Sequence, residues 1–366
     1  MVTETIEKSE CTGCGACYQI CKFGAIVMKA DEKGFLYPEV QVDKCTQCGA
    51  CVNVCVLKNN PPNASGHKVY AAWSKDKRIR YESTSGGIFS ELANDILDNN
   101  GCVAGAAYTQ NHLVQHCMIF CRDELKLLRQ SKYVQSDTRH IYQEVKKQLE
   151  KGRKTLFVGT PCQCAGLINY LGKKHDQLIL CDFICRGVNA PAAYQAYLEE
   201  LQDLYNSKVE KVWFKNKSFG WNNFGTKIMF ENGEEYFKDR NEDPFMFGFI
   251  RKNANLYMRS SCASCHFKAL NTYADITLGD FWGYECSQGD DRYGVSAVIL
   301  HTNKGVQLFN SLTSIYREES MLDKVIKGND CLSNCAKEGK QAEFFWECMK
   351  KGMKFSTIIE KIKERL

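Results

Sequence analysis

No stretch of the 366 residues stays apolar for the ~18 positions a membrane-spanning helix needs, so no span is expected. The opening residues, Met-Val-Thr-Glu-Thr-Ile-Glu-Lys, lack the apolar core of a secretory signal. One-signed charge is also scarce. Lys and Arg total 48 against 43 Asp and Glu, a formal net charge of +5. A nucleic-acid reader would gather its basic residues on one face with aromatic partners, and no such stripe is present. Short basic runs such as Lys350, Lys351 and Lys354 read as a solvated helix face. Hydrophobic residues make up 44% and charged residues 25%, a balance that can bury a core. The length asks for a small module plus a larger body.

Cysteine is the residue in excess. There are 21, and they cluster. With no export signal, the spacings point to thiolate coordination in a reducing cytoplasm rather than to disulfides. The first run is Cys11-x2-Cys14-x2-Cys17-x3-Cys21, and the second is Cys45-x2-Cys48-x2-Cys51-x3-Cys55. Each close triplet can wrap three corners of a [4Fe–4S] cubane, and the fourth cysteine of each run reaches the other cluster. One cluster should therefore take Cys11, Cys14, Cys17 and Cys55. The other should take Cys45, Cys48, Cys51 and Cys21. Gly13, Gly15 and Gly49 suit a backbone that approaches sulfide closely at positive φ. Zinc motifs favour paired C-x2-C instead of such triplets.

This pattern resembles bacterial-type two-cluster ferredoxin domains over residues 1–58. The proline that usually follows the fourth cysteine is missing: Lys22 and Val56 stand there. That proline shapes the chain and is no ligand, so both clusters are kept. Residues 59–68, with Pro61-Pro62 and little periodicity, read as a linker.

A larger α/β body is expected over residues 69–320. Val69–Trp73 reads as a strand, and Ser85-Gly86-Gly87 reads as a turn opening a helix through Ile88, Leu92, Ile96 and Leu97. Thr155–Val158, the loop Gly159-Thr160-Pro161-Cys162, an apolar helix and the strand Leu178–Cys185 form a predicted βαβ unit. Cofactors gather where parallel strands end, and each of these strands places a cysteine there. Further strands are expected over 274–283 and 293–300. Helices are expected over 306–326 and 340–366, giving a polar helical C-terminal segment over 321–366. The fold class is α/β, α+β overall.

Five separated motifs carry a second resemblance. They are Thr84-Ser85-Gly86-Gly87, Ser131-Lys132-Tyr133, Gly159-Thr160-Pro161-Cys162-Gln163, Asp182 to Val188, and Ser261-Cys262-x2-Cys265 with Asp275 to Asp280. In this order they resemble the beta subunit family of coenzyme F420-reducing hydrogenases and dehydrogenases, over residues 70–310. The resemblance implies an FAD-binding α/β domain with a third [4Fe–4S] cluster on Cys162, Cys185, Cys262 and Cys265. Spacing alone points to the same four, with Cys164 and Cys181 as competitors. Cys181 lies four residues before Cys185 in a strand and reads better as a small buried hydrophobe. The resemblance places FAD at Ser85, Gly86 and Gly87, at Ser131, Lys132 and Tyr133, and at Gly159, Thr160 and Pro161. Glycine amides at a helix start can hold pyrophosphate, Lys132 can add charge, and Tyr133 can stack on a ring.

Cys102, Cys117, Cys121, Cys286, Cys331, Cys335 and Cys348 remain without a complete ligand set. The implied activity is an FAD- and iron–sulfur-dependent oxidoreductase. It would pass electrons between a redox partner, such as a ferredoxin or partner reductase, and a small-molecule two-electron acceptor. The rivals are an electron-transfer subunit with no substrate of its own and a redox-sensing iron–sulfur protein. His266 and Asp280 are candidate general acids. No residue selects coenzyme F420 as the substrate.

Overall fold

A computed structural model describes residues 1–59, 61–62, 67–251, 253–285 and 292–366. The linker expected over 59–68 and Cys286 lie partly and wholly outside them. The described strands are β1 (Ile26–Ala30), β2 (Leu36–Val40), β3 (Lys68–Ser74), β4 (Cys102–Tyr108), β5 (Val114–Ile119), β6 (Ser136–Asp137) and β7 (Thr155–Val158). They continue with β8 (Leu178–Phe183), β9 (Val209–Asn216), β10 (Gly225–Phe230), β11 (Glu235–Asp239), β12 (Ile276–Asp280), β13 (Ser296–Leu300) and β14 (Ile315–Ser320).

The N-terminal module is an antiparallel β1–β2 hairpin flanked by the two cysteine runs. The body is a nine-stranded mixed sheet in the order β14-β3-β13-β12-β8-β7-β4-β5-β6. Its centre, β12-β8-β7-β4, is parallel, and antiparallel strands flank it. A parallel pair needs a crossover, and the helix Pro161–Leu171 supplies it between β7 and β8. Its start is written locally. Pro161 opens the helix, Thr160 and Gln163 form a capping box, and Gly172 ends it at φ 71°. That cap fixes Cys162 in the first turn, at the C-terminal end of the parallel strands.

A second sheet, β11-β10-β9, packs with the helices Pro191–Tyr205 and Pro244–Ile250 around an aromatic core of Tyr194, Tyr197, Phe214, Phe245 and Tyr257. The end of the chain belongs to this core. Phe355, Ile358, Ile359 and Ile362 are all buried in it. The C-terminal segment is therefore no polar tail. Its apolar residues recur at i, i+3, i+4 and i+7, a spacing that makes one buried stripe. The helix expected over 306–326 also divides, into Asn303–Ser311, β14 and Leu322–Gly328. β14 is an edge strand paired with β3, and its Arg317, Glu318 and Glu319 keep that edge polar. The same charges hide the strand from a search for hydrophobic alternation.

Module and body share one core. Cys14, Ala16, Val54 and Val56 pack with Tyr142, Val145, Ala165 and Leu167. Gln19, in the helix Ala16–Ile20, accepts from Tyr142 N at 2.8 Å. Arg259, fully buried, donates from Nε to Cys11 O at 2.8 Å and from Nη2 to Leu36 O at 3.1 Å. Its guanidinium also lies over the Tyr37 ring, 4.1 Å from the centroid. These contacts anchor the first cysteine run to the body.

Candidate functional site

The eight module cysteines fall into two crossed sets. Cys11, Cys14, Cys17 and Cys55 line one cavity of about 600 Å³. Cys21, Cys45, Cys48 and Cys51 line another of about 350 Å³. Local backbone explains how each loop turns inward. Gly13, Gly15 and Gly49 take φ of 70°, 74° and 76°, and Gln47 takes 56° where the first run has Gly13. Gly15 and Gly49 each open a short helix from the left-handed region, which carries the next cysteine round the cavity.

A third cavity lies between body and module. Cys162, Cys185, Cys262 and Cys265 all line it, together with Thr12, Gly13, Gln135, Asp182 and Cys331. Cys162 comes from the helix start after β7, and Cys185 from the loop after β8. Cys262 and Cys265 come from the 3₁₀ turn Ser260–Ser264 and its end. The cavity holds about 60 Å³, several times the ~10–15 Å³ one water needs. Among the described residues, no three His, Cys, Asp or Glu side chains converge as ligands of a single ion. Thiols spread around a cavity suit a polynuclear cluster better than zinc, which draws its ligands to one point.

The surroundings suit an anionic, hydrogen-bond-accepting group. Burial pushes the Cys14 thiol up to about 12, with Cys11 and Cys55 adding to it. Burial also raises Cys162 well above the thiol range, helped by Cys265, Cys185 and Cys14. Buried neutral thiols become ligands when a metal displaces their protons. Beside Gly13, the buried donors Gln135 Nε2 and Arg259 Nη1 have no partner among the described residues. Both sit against Gly13, where a Cβ would lie 2.4 Å from the first and 3.0 Å from the second. Orphaned donors beside clustered thiols fit sulfide or thiolate acceptors. Lys268 adds a cation, donating to Cys185 O and Cys331 O, both at 2.6 Å.

Cys164 and Cys181 are fully buried in the core and do not line the cavity. The Cys164 thiol instead reaches Cys181 O at 3.8 Å. Cys331 does line it, and Cys335 Sγ lies 3.6 Å from Cys265 O. Cys102 and Cys348 are buried away from it, Cys117 lies in β5, and Cys121 is exposed.

The three segments assigned to FAD are brought only partly together. Ser131 N donates to Thr84 Oγ1 at 2.8 Å, which joins the Ser131 segment to the Ser85–Gly87 turn. That turn is held from below, with Ser85 Oγ on Val295 O, Gly86 N on Ser296 Oγ, and buried Lys217 Nζ on Ser85 O. Gly86 must be glycine, because a Cβ would lie 2.4 Å from Ala72 O. Gly87 stands at φ 90° before the helix Ile88–Asp98. Thr160 and Pro161 face the cysteine cavity, and Gly159 precedes them at the end of β7.

Lys132 departs from the expected role. Its Nζ donates to Leu128 O, Arg129 O and Gln130 O, and burial lowers it to about 7. It closes the end of the helix Leu125–Leu128 instead of offering a free charge to phosphate. The Tyr133 ring packs on Phe214 and Phe249.

The two candidate acids differ. His266 is exposed and does not line the cavity. Asp280 pairs with Lys215 at 2.5 Å and accepts from Trp221 Nε1 at 3.0 Å, while Trp282 stacks on Trp221. Gln135, Arg259, Lys268, Lys215 and Lys217 were not singled out from the sequence. An isolated polar residue carries no local signal of the distant backbone it will meet.

Residues 152–324 match the family described as the C terminus of the coenzyme F420 hydrogenase/dehydrogenase beta subunit. Residues 69–141 match the N-terminal part of the same protein. Residues 10–59 match a 4Fe–4S dicluster domain. The fold is similar to a chain of the xenon-derivatised F420-reducing [NiFe] hydrogenase complex from Methanosarcina barkeri. The identity is 15%, over 74% of this chain and 90% of that one, with a TM-score of 0.50. No curated protein matches.

Proposed function

The chain belongs to the coenzyme F420 hydrogenase/dehydrogenase beta subunit family and carries a 4Fe–4S dicluster domain, and on that premise we propose that it is an iron–sulfur flavoprotein oxidoreductase. It would pass electrons between a ferredoxin-like donor and a two-electron acceptor. The observation that carries this reading is the file of three cysteine-lined cavities. The inner two adjoin: Gly13 lines both, and Cys14 is among the neighbours that raise the Cys162 thiol.

Bound clusters would supply one-electron steps, and bound FAD would collect two electrons. The chain's own residues do the rest. Cys11, Cys14, Cys17 and Cys55 would hold the inner module cluster, with Cys21, Cys45, Cys48 and Cys51 holding the outer one. Cys162, Cys185, Cys262 and Cys265 would hold the third. Gln135 and Arg259 offer hydrogen bonds between the inner and third sites, and Lys268 offsets anionic charge. Packing of the module on the body buries Cys14 between the inner pair. The Ser85–Gly87 turn with Ser131, and the Gly159–Pro161 loop, are the proposed FAD contacts. Lys132 drops from that set unless it leaves its three carbonyls.

The rival reading, an electron-transfer subunit without its own substrate, draws support from the same Lys132 geometry. Anaerobically purified protein separates the two readings. Iron for three clusters, bound FAD and bleaching of that flavin by reduced ferredoxin are expected. Absence of bound or bindable flavin sinks the flavoprotein reading and leaves the subunit.

A further inference from the structure

The third cavity has a carboxyl on its wall that the cluster reading leaves unused. Asp182 is 1% exposed. It accepts from Thr272 Oγ1 at 2.6 Å and Thr277 Oγ1 at 2.5 Å, and no ion pair to it occurs among the described residues. A buried carboxyl held only by hydroxyls is costly to ionise. A chain of hydrogen bonds leads away from it. Thr277 Oγ1 lies 2.8 Å from His301 Nε2, and His301 Nδ1 lies 2.9 Å from His67 Nδ1. His67 and His301 are only partly buried.

One assignment of hydrogens satisfies every link. His67 Nδ1–H donates to His301 Nδ1, His301 Nε2–H donates to Thr277 Oγ1, and Thr277 Oγ1–H donates to Asp182. All three donors then point the same way, toward the cavity. We infer that His67, His301, Thr277 and Asp182 form a proton relay, through which an electron arriving at the third cavity draws one proton from solvent onto Asp182. The inference rests on reading that cavity as a redox centre.

The step balances. A one-electron reductant supplies the electron, and water at His67 supplies the proton. His67 passes its Nδ1 proton to His301, His301 passes its Nε2 proton to Thr277, and Thr277 passes its own to Asp182. One O–H bond forms on Asp182. Reoxidation returns the electron and sends the proton back along the chain, restoring both imidazole tautomers.

The groups around Asp182 suit a proton store. Burial raises its carboxyl to about 7, against the two threonine bonds. Cys164 and Cys181, its thiol neighbours, are kept protonated by burial. Beyond Cys181 stands Asp275, whose charge meets Lys304 at 3.9 Å. Burial and the neighbouring His67 lower His301 to about 3, so it passes a proton without retaining one. Added negative charge in the cavity raises Asp182 further. A potential coupled to it is flat while both redox states are protonated, and falls as pH climbs beyond the oxidised-state value.

The test uses the anaerobic holoprotein. Iron count and electron paramagnetic resonance first establish whether three centres are present. Redox titrations at a series of pH values then follow each one. One centre should lose potential with rising pH at the one-proton-per-electron slope, while the two module centres stay flat. Asp182→Asn should abolish that slope with iron unchanged. Thr277→Val should keep the equilibrium slope and slow proton uptake, read with an indicator dye after rapid reduction, by about tenfold or more. Three centres with a flat slope in the unmodified protein overturn the relay alone. Iron for two centres only overturns the cavity reading and the relay with it. A slope that survives in Asp182→Asn also overturns the relay.

Discussion

The two cysteine runs have the same spacing and opposite surroundings. The first is pressed into the body: a Cβ on Gly13 would meet Gln135 and Arg259, and one on Gly15 would lie 2.2 Å from Thr138 Oγ1. The second has nothing within 4 Å of Gly49, and Cys48 is exposed. Phe23 and Val42, 55% and 69% exposed, stand two and three residues from Cys21 and Cys45, which line the outer cavity. A repeated motif has thus been given two tasks. One copy packs inward beside the Cys162 cavity, and the other faces solvent. Gln47 marks the same divergence. Free of the body, the second run carries a side chain at the position where the first must have glycine.

The largest effects should come from the ligands themselves. Cys185→Ser should remove one cluster's iron while leaving both module clusters, and unchanged iron would reject the third set. Cys14→Ser should also lower the melting temperature, because that thiol belongs to the shared core, whereas Cys48→Ser should lose iron with little change in melting. Equal melting losses for the two would break the comparison.

Glycine substitutions give a sharper version. Gly49→Ala should cost about 1–2 kcal/mol, the penalty of a left-handed non-glycine residue. Gly15→Ala adds a clash with Thr138 and should cost at least about 3 kcal/mol by chemical denaturation. Arg259→Ala removes two buried charged hydrogen bonds and should cost on the order of 3 kcal/mol. Limited proteolysis between the module and β3 should then release the module faster. Smallest in stability is Phe23→Ala, within about 0.5 kcal/mol. It should slow reduction by an external ferredoxin while iron and melting hold. An unchanged rate places the port elsewhere.

Much of this site was legible in the chain. Metal-ligand spacing is local, so both runs announce the 4Fe–4S dicluster domain. The Cys262–Cys265 spacing marks two thiols that the fold brings to one cavity with Cys162 and Cys185. The βαβ unit was legible too, because Pro161 and Gly172 punctuate it. Polar residues that act at a distance were not. Arg259, Gln135 and Lys268 meet backbone far along the chain, and nothing near them in sequence announces it. Lys132 shows the converse error: a lysine beside a glycine-rich turn suggests a phosphate ligand, yet three nearby carbonyls claim it first. β14 escaped because edge strands carry the charges that surface helices carry.

Arg259 also sets an order of events. Its bond to Cys11 joins residues 248 positions apart. On the ribosome the eight module thiols emerge long before the side chain that fastens them to the body. A cluster on Cys11, Cys14, Cys17 and Cys55 should therefore enter most readily early, before Arg259 draws that loop onto the body. The outer set of Cys21, Cys45, Cys48 and Cys51 keeps Cys48 exposed after folding, so a cluster held there should exchange in the finished protein before the inner one does.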